Sequence, residues 1–197
     1  MVKENIRVVL ASASPRRREL LRLIFPDFEV VPSGFDESNV PSDMPPAEQV
    51  IYSAKRKAMD VMPIFECALI ISADTVVSID EHILGKPEDA DDAKRMLRML
   101  SGRVHQVYTG ICCVDSSAPE SILDASEKTD VKFRRLSEEM INRYIATGEP
   151  MDKAGAYAIQ GKGSVLVEGI NGCYFNVVGL PLYRLSRILE QFGIESL

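Results

Sequence analysis

The stretch from Ala68 to Ile79 constrains the fold of this chain more than any other. Ala68, Leu69, Ile70 and Ile71 form an unbroken apolar run, followed by Ser72, Ala73, Asp74 and Thr75 and then by Val76 and Val77. A short, β-branched apolar run bounded by charged sequence reads as a strand buried on both faces. Asp74 then falls at the edge of the core, where an ionised carboxylate costs several kcal/mol unless a cation, a metal or hydrogen-bond donors compensate. An Asx-turn or a helix cap after the strand would meet that need, as would a functional site.

Size and charge narrow the options. A chain of 197 residues, 46% hydrophobic and 26% charged, suits one globular domain, or one domain with two lobes. The net charge of -6 argues against a general nucleic-acid binder, so any anionic ligand must be held by local charge. Cys67, Cys112, Cys113 and Cys173 show no C-x-x-C spacing and read as reduced core thiols. No apolar run approaches the ~18 residues that span a bilayer, and the Lys3, Glu4, Arg7 segment lacks the apolar region of a signal peptide. A cytoplasmic protein is expected, with no membrane partner.

Along the chain, Ile6–Ala11 reads as a strand leading into Ser12, Ala13, Ser14, Pro15 and three arginines. Ser14 suits an N-cap and Pro15 a first helical residue, for a helix running through Leu20, Leu21, Leu23 and Ile24. Strand, small residues and helix start make an anion site, to which Arg16 or Arg17 would add a bidentate clamp. A solvated basic helix face is the plainer alternative. Phe28–Val31 reads as a strand, Pro32–Pro46 as a polar loop carrying Asp36 and Glu37, and Ala47–Val61 as a helix with Lys55, Arg56 and Lys57.

Beyond Ile79, Asp80–Pro87 reads as a loop or hairpin presenting Lys86, and Asp89, Asp91 and Asp92 crowd the start of a helix that Gly102 ends. Val104–Val114 is strand-like, Ile122–Leu136 reads as a half-exposed strand pair, and Ser137 caps a helix from Glu138 to Ala146. Glu149–Gly161 has the glycine and polar density of a binding loop, in which Gln160 would read an amide or carbonyl edge and Tyr157 would either stack on a base or join the core. Val165–Val167 and Tyr174–Val178 read as strands joined through an Asn171-Gly172 hairpin, before a final helix opened by Pro181 and closed by Gly193. With only His82 and His105 present, a histidine zinc site is not expected.

Six segments, in order, carry a resemblance: Leu10–Leu21 (LASASPRRRELL), Ser72–Val77 (SADTVV), Gly85–Pro87 (GKP), Leu100–Gly110 (LSGRVHQVYTG), Gly148–Gly161 (GEPMDKAGAYAIQG) and Asn176–Leu182 (NVVGLPL). Together they resemble the Maf family of nucleoside triphosphate pyrophosphatases over nearly the whole chain. The resemblance implies an α/β fold like that of the inosine triphosphate pyrophosphatases, a mixed twisted sheet with flanking helices in two lobes around a cleft, as a single domain over residues 1–197. It implies hydrolysis of a nucleoside triphosphate to the monophosphate and pyrophosphate with a divalent cation, Mg²⁺ or Mn²⁺. Carried over by residue, it makes Asp74 the catalytic proton acceptor and Arg16, Thr75 and Gln160 the positions of substrate choice. Ser12, Ser14, Arg16, Lys57 and Lys86 would face phosphates, and Glu37 and Asp74 the metal.

The segment Gly155–Gly161 is similar to the dTTP/UTP branch, with Ala158 in place of a more frequent glycine. The sister branch acting on 7-methyl-GTP is an alternative. The family's association with septum formation keeps a nucleotide-responsive regulator open, and the residues alone do not exclude a phosphatase that removes the terminal phosphate. A nucleoside triphosphate is the expected partner and a homodimer is compatible with the resemblance; no stable nucleic-acid complex is expected.

Overall fold

The computed structural model describes residues 6–80 and 82–195. In chain order its elements are β1 (Val8–Leu10), α1 (Pro15–Leu21), β2 (Glu29–Val30), α2 (Pro46–Val61), β3 (Leu69–Ile79), β4 (His82–Leu84), α3 (Ala90–Leu100), β5 (Val104–Asp115), β6 (Ala118–Phe133), α4 (Glu138–Ile145), β7 (Val167–Asn171), α5 (Tyr174–Val178) and α6 (Leu182–Gln191), with short 3₁₀ turns between several of them. The strands form a seven-stranded mixed sheet in the order β2-β1-β3-β5-β6-β7, with β4 paired to β3. β1 runs parallel to both β2 and β3, whereas β3 and β4, and β6 and β7, are antiparallel. The mixed α/β class expected from the sequence is the one observed.

The chain divides into two compact units, one comprising the chain up to Asp74, Thr109–Glu127 and everything from Gly179 onward, the other Thr75–Tyr108 and Lys128–Val178. In the first unit the apolar run of β3 is buried as its composition dictates, and Val9, Ala11, Ile70, Cys112 and Val114 pack with Ala54, Ala58 and Val61 of α2. Ser72 is fully buried among these apolar groups, and its hydroxyl donates to Ala54 O of α2 at 2.6 Å, so it leaves no unpaired donor. Burial raises the Cys112 thiol to about 12 and the Cys113 thiol well above its ordinary value, as expected of inert core thiols. Cys67, by contrast, is exposed.

In the second unit α3 starts where the sequence places it, with Asp89 Oδ1 accepting from Asp92 N at 2.8 Å, and buries Ala93, Met96, Leu97 and Leu100. Ser137 likewise caps α4, accepting from Met140 N at 3.2 Å. Tyr157 belongs to this core. It is 5% exposed, lies edge-on to Phe133 and His105, and is 2.8 Å from His105 Nε2, which leaves no face for stacking on a base.

His105 itself is fully buried, and desolvation lowers its pKa to about 4 from an ordinary 6.5. Between those values the unfolded chain binds a proton that the folded chain does not, so stability is fully present above pH ~6.5 and falls as pH drops toward ~4. The loss amounts to something on the order of 3 kcal/mol. Urea midpoints followed across this window should decline more steeply for the natural protein than for His105→Gln, which has nothing to protonate. Equal slopes would remove His105 as the cause.

Three sequence expectations are corrected. The helix after Ser14 ends at Leu21, short of Leu23 and Ile24. Ile122–Phe133 belongs to one 16-residue strand, Ala118–Phe133, rather than to a strand pair, and Leu136 lies beyond it; the turn falls earlier, where Asp115 Oδ1 accepts from the amide and hydroxyl of Ser117 at 3.0 and 2.6 Å. Val165 and Leu166 lie in a 3₁₀ segment over Gly161–Leu166, and Tyr174–Val178 is helical, so Asn171-Gly172 does not join two strands. β3 runs to Ile79, as the stretch Ala68–Ile79 leads one to expect, with Asp74 at its middle.

Candidate active site

Three elements of the first unit bring ionisable side chains to one point. Asp74 comes from the middle of β3, Lys57 from the penultimate turn of α2, and Glu37 from a 3₁₀ turn over Glu37–Asn39. Lys57 Nζ donates to Asp74 Oδ1 and to Glu37 Oε1, each at 2.6 Å. Lys57 is only 8% exposed, and an ammonium at that depth is tolerated because both acceptors are charged. The compensation Asp74 requires is thus a lysine from a helix, not the Asx-turn or helix cap that local sequence suggested.

The loop carrying Glu37 is fastened along one side of α2. Asp60 accepts from Ser33 Oγ at 2.9 Å and from the Gly34 amide at 2.7 Å, Phe35 lies edge-on to Tyr52, and the Arg56 guanidinium sits 5.7 Å from the Phe35 ring centre. Asp36 then caps the turn by accepting from Ser38 N at 2.9 Å. A segment that reads as a surface connection therefore delivers a carboxylate to a defined place.

Ser14 caps α1, accepting from Arg17 N at 3.4 Å, and no acidic residue stands in the helix's first turn. Ser12 Oγ accepts from Ser14 N and from Arg17 Nη1, both at 3.3 Å, while Arg17 Nε donates to Gly179 O at 2.8 Å. Burial lowers the Arg17 pKa, the charges of Asp74 and Glu37 raise it, and neighbouring Arg16 lowers it again. Arg17 therefore shares the electrostatic environment of the carboxylate pair. The residues gathered here are Ser12, Ser14, Arg17, Glu37, Lys57 and Asp74, with Arg16 beside them on the first turn of α1. Family resemblance pointed to Arg16 alone. The reading of the strand, small residues and helix start offers Arg17 beside it.

The remaining candidates lie in the second unit. Thr75 follows Asp74 in β3 and is half-buried, Lys86 is exposed after β4, and Gln160 is half-buried at the entry to the 3₁₀ segment. A hydrogen bond from Gly155 N to Gly85 O at 2.9 Å ties the Lys86 turn to the glycine-rich loop that leads to Gln160.

Chemically, the first-unit cluster offers a carboxylate able to take a proton and two cations, Lys57 and Arg17, suited to anionic oxygen. Among the described residues no group of three or more His, Cys, Asp or Glu gathers as a metal site, and no helix is long and apolar enough to cross a membrane.

The profile of the family described as Maf-like protein matches residues 7–192. The dTTP/UTP pyrophosphatase of Pelotomaculum thermopropionicum is 50% identical over 190 residues, covering 96% of this chain and 98% of that one. That of Acetivibrio thermocellus is 50% identical over 199 residues, with 98% of each chain covered. Among solved structures, the nucleoside-triphosphatase or dITP/XTP pyrophosphatase of Mycobacterium abscessus aligns over 95% of this chain and 98% of that one, at 12% identity and a TM-score of 0.46. With a profile match from residue 7 to residue 192 and every second aligned position identical across nearly the whole chain, this protein belongs to the Maf family.

Proposed function

We propose that this chain hydrolyses dTTP and UTP to the nucleoside monophosphates and pyrophosphate. The observation that carries the reading is the meeting of Asp74, Glu37 and Lys57 within 2.6 Å contacts in a chain half identical to relatives named dTTP/UTP pyrophosphatase. Water attacks the α-phosphorus, the bond from that phosphorus to the α–β bridging oxygen breaks, and pyrophosphate leaves. Asp74 accepts the proton of the attacking water. Arg16 and Arg17, with Lys86 from its turn, bind phosphate oxygens as negative charge builds on the leaving group. Ser12 and Ser14 set the geometry of this basic segment through their bonds to the Arg17 side chain and amide.

The residues fit a divalent cation such as Mg²⁺ or Mn²⁺ in donor type: Asp74 and Glu37 supply the hard oxygens such ions take. Two carboxylates leave the rest of the coordination to water and to substrate phosphates, the usual arrangement for Mg²⁺. When bound, the cation would supply charge neutralisation on the triphosphate. Lys57 holds the two carboxylates together independently of it.

Base choice falls to Gln160, with Thr75 and Arg16 as further determinants. A glutamine amide accepts from N3–H of thymine or uracil and donates to a ring carbonyl. A panel of nucleoside triphosphates with Mg²⁺ or Mn²⁺, resolving pyrophosphate from orthophosphate, tests the reading. Pyrophosphate with preference for dTTP and UTP is expected. Best turnover of 7-methyl-GTP would overturn the base assignment, orthophosphate alone would overturn the bond assignment, and nucleotide binding without any product would favour a regulator.

A further inference from the structure

Gln160 immediately precedes the 3₁₀ segment Gly161–Leu166, and its side chain does not cap that segment. The backbone around it is held instead by two residues from the end of α4 and just beyond. The Glu149 carboxylate accepts three hydrogen bonds: Oε1 from the Tyr144 hydroxyl at 2.9 Å and from Gly163 N at 2.8 Å, and Oε2 from Lys162 N at 3.0 Å. The same Tyr144 oxygen accepts from Ala158 N at 3.2 Å. The chain is therefore fastened two residues before Gln160 and two and three residues after it, to one tyrosine–glutamate pair.

The local sequence is fitted to this arrangement. Gly161 has φ +69°, and a Cβ there would stand 2.7 Å from Glu149 Oε2; a Cβ on Gly163 would meet Ala158 O at 2.3 Å and the Tyr144 hydroxyl at 2.5 Å. Tyr144 is 5% exposed in the apolar core of its unit, so the anchor is itself immobile. Burial pushes the Glu149 pKa up, but the amides of Lys162 and Gly163, the Tyr144 hydroxyl and the Lys153 charge outweigh it and hold the carboxyl below its ordinary range. The ionised form is the one the loop requires.

We propose that Tyr144 and Glu149 form a clamp that fixes the position of Gln160 and so sets nucleobase selectivity. The inference rests on the assignment of Gln160 to the base. Both are positioning residues, acting through the backbone of residues 158–163.

The test pairs two variants, Glu149→Gln and Tyr144→Phe, with two readouts. Amide exchange should accelerate about tenfold or more at Lys162 and Gly163 in the first variant and at Ala158 in the second, with the rest of the protein unchanged. The preference for dTTP over dATP in kcat/KM should shrink about tenfold, mainly through a higher KM for dTTP. Unchanged exchange at these amides in the folded variants would overturn the clamp. Faster exchange with the dTTP preference intact, or an equal fall in kcat for both nucleotides, would overturn its role in selectivity. Should the natural protein show no preference for dTTP, the assignment of Gln160 fails, and the role in selectivity with it, while the exchange data still decide whether the clamp exists. Tyr144→Phe removes a single hydroxyl and serves if Glu149→Gln does not fold.

Discussion

Asp74→Asn is expected to lower kcat about a thousandfold while leaving a folded protein, because a general base is typically worth 10²–10⁴ in rate. Asparagine keeps the size of the side chain and one oxygen that can accept from Lys57 Nζ, but it cannot take a proton. The Asp74 side chain is 13% exposed and the Lys57 side chain 10%, so the variant leaves a buried ammonium balanced by Glu37 alone on the carboxylate side. Part of that imbalance is relieved because the Glu37 side chain is 51% exposed and reached by water. The stability cost should therefore stay near ~1–3 kcal/mol, the range for replacing a charged hydrogen-bond partner by a neutral one. Steady-state kinetics on dTTP, with a urea unfolding curve on the same preparation, separate the two effects. A folded Asp74→Asn protein with near-normal kcat would remove Asp74 from the chemistry.

Those parts of the fold set by local chemistry were legible before the structure. Asp89 and Ser137 mark the starts of α3 and α4 as N-caps do, and the spacing of Val50, Ala54 and Ala58 marks the buried face of α2. What was not legible depended on partners distant in sequence. Asp74 reads as a carboxylate in need of compensation at the edge of the core, but the source of that compensation, Lys57, lies 17 residues earlier on a helix. Tyr174–Val178 is rich in aromatic and β-branched residues and reads as a strand. It is helical in a setting where Asn176 Nδ2 donates to Val107 O and Thr129 Oγ1, both at 2.9 Å, from strands β5 and β6. Tertiary contacts of this kind override propensity. The same holds for the site. The family resemblance nominated Asp74, Glu37 and Lys57, but the fastening of the Glu37 loop by Asp60, Phe35 and Arg56 and the bonds of Arg17 to Ser12 and Gly179 follow from packing that no spacing encodes.

Gly110→Ala is expected to be among the most destabilising single-methyl changes in this protein. Gly110 lies in β5 where α2 passes directly over the strand, and a Cβ there would stand 2.4 Å from both the carbonyl carbon and the oxygen of Val50 and 2.7 Å from Ile51 N. These are backbone atoms of a helix, so no side-chain rotation relieves the clash and α2 as a whole must shift. Small residues around it show how close the approach is: Ala54 and Ala58 of α2 are fully buried, and Ser72 bonds directly to the Ala54 carbonyl. Overpacking ordinarily costs 1–3 kcal/mol, and displacement of a helix backbone places this case at ~3 kcal/mol or above. For a chain of this size that corresponds to a fall in Tm of roughly 10 °C. The consequence extends to the site, because Lys57 lies seven residues, two helical turns, beyond Val50 on the same helix. A shift of α2 moves the ammonium on which Asp74 and Glu37 meet, so kcat should fall together with stability even though Gly110 touches none of the three. Thermal and urea unfolding, with turnover measured well below the lowered Tm, check both parts. An unchanged unfolding midpoint would mean that α2 and β5 are not packed backbone to backbone at this point. Lost stability with intact kcat would mean that the Lys57 contacts survive the displacement of their helix.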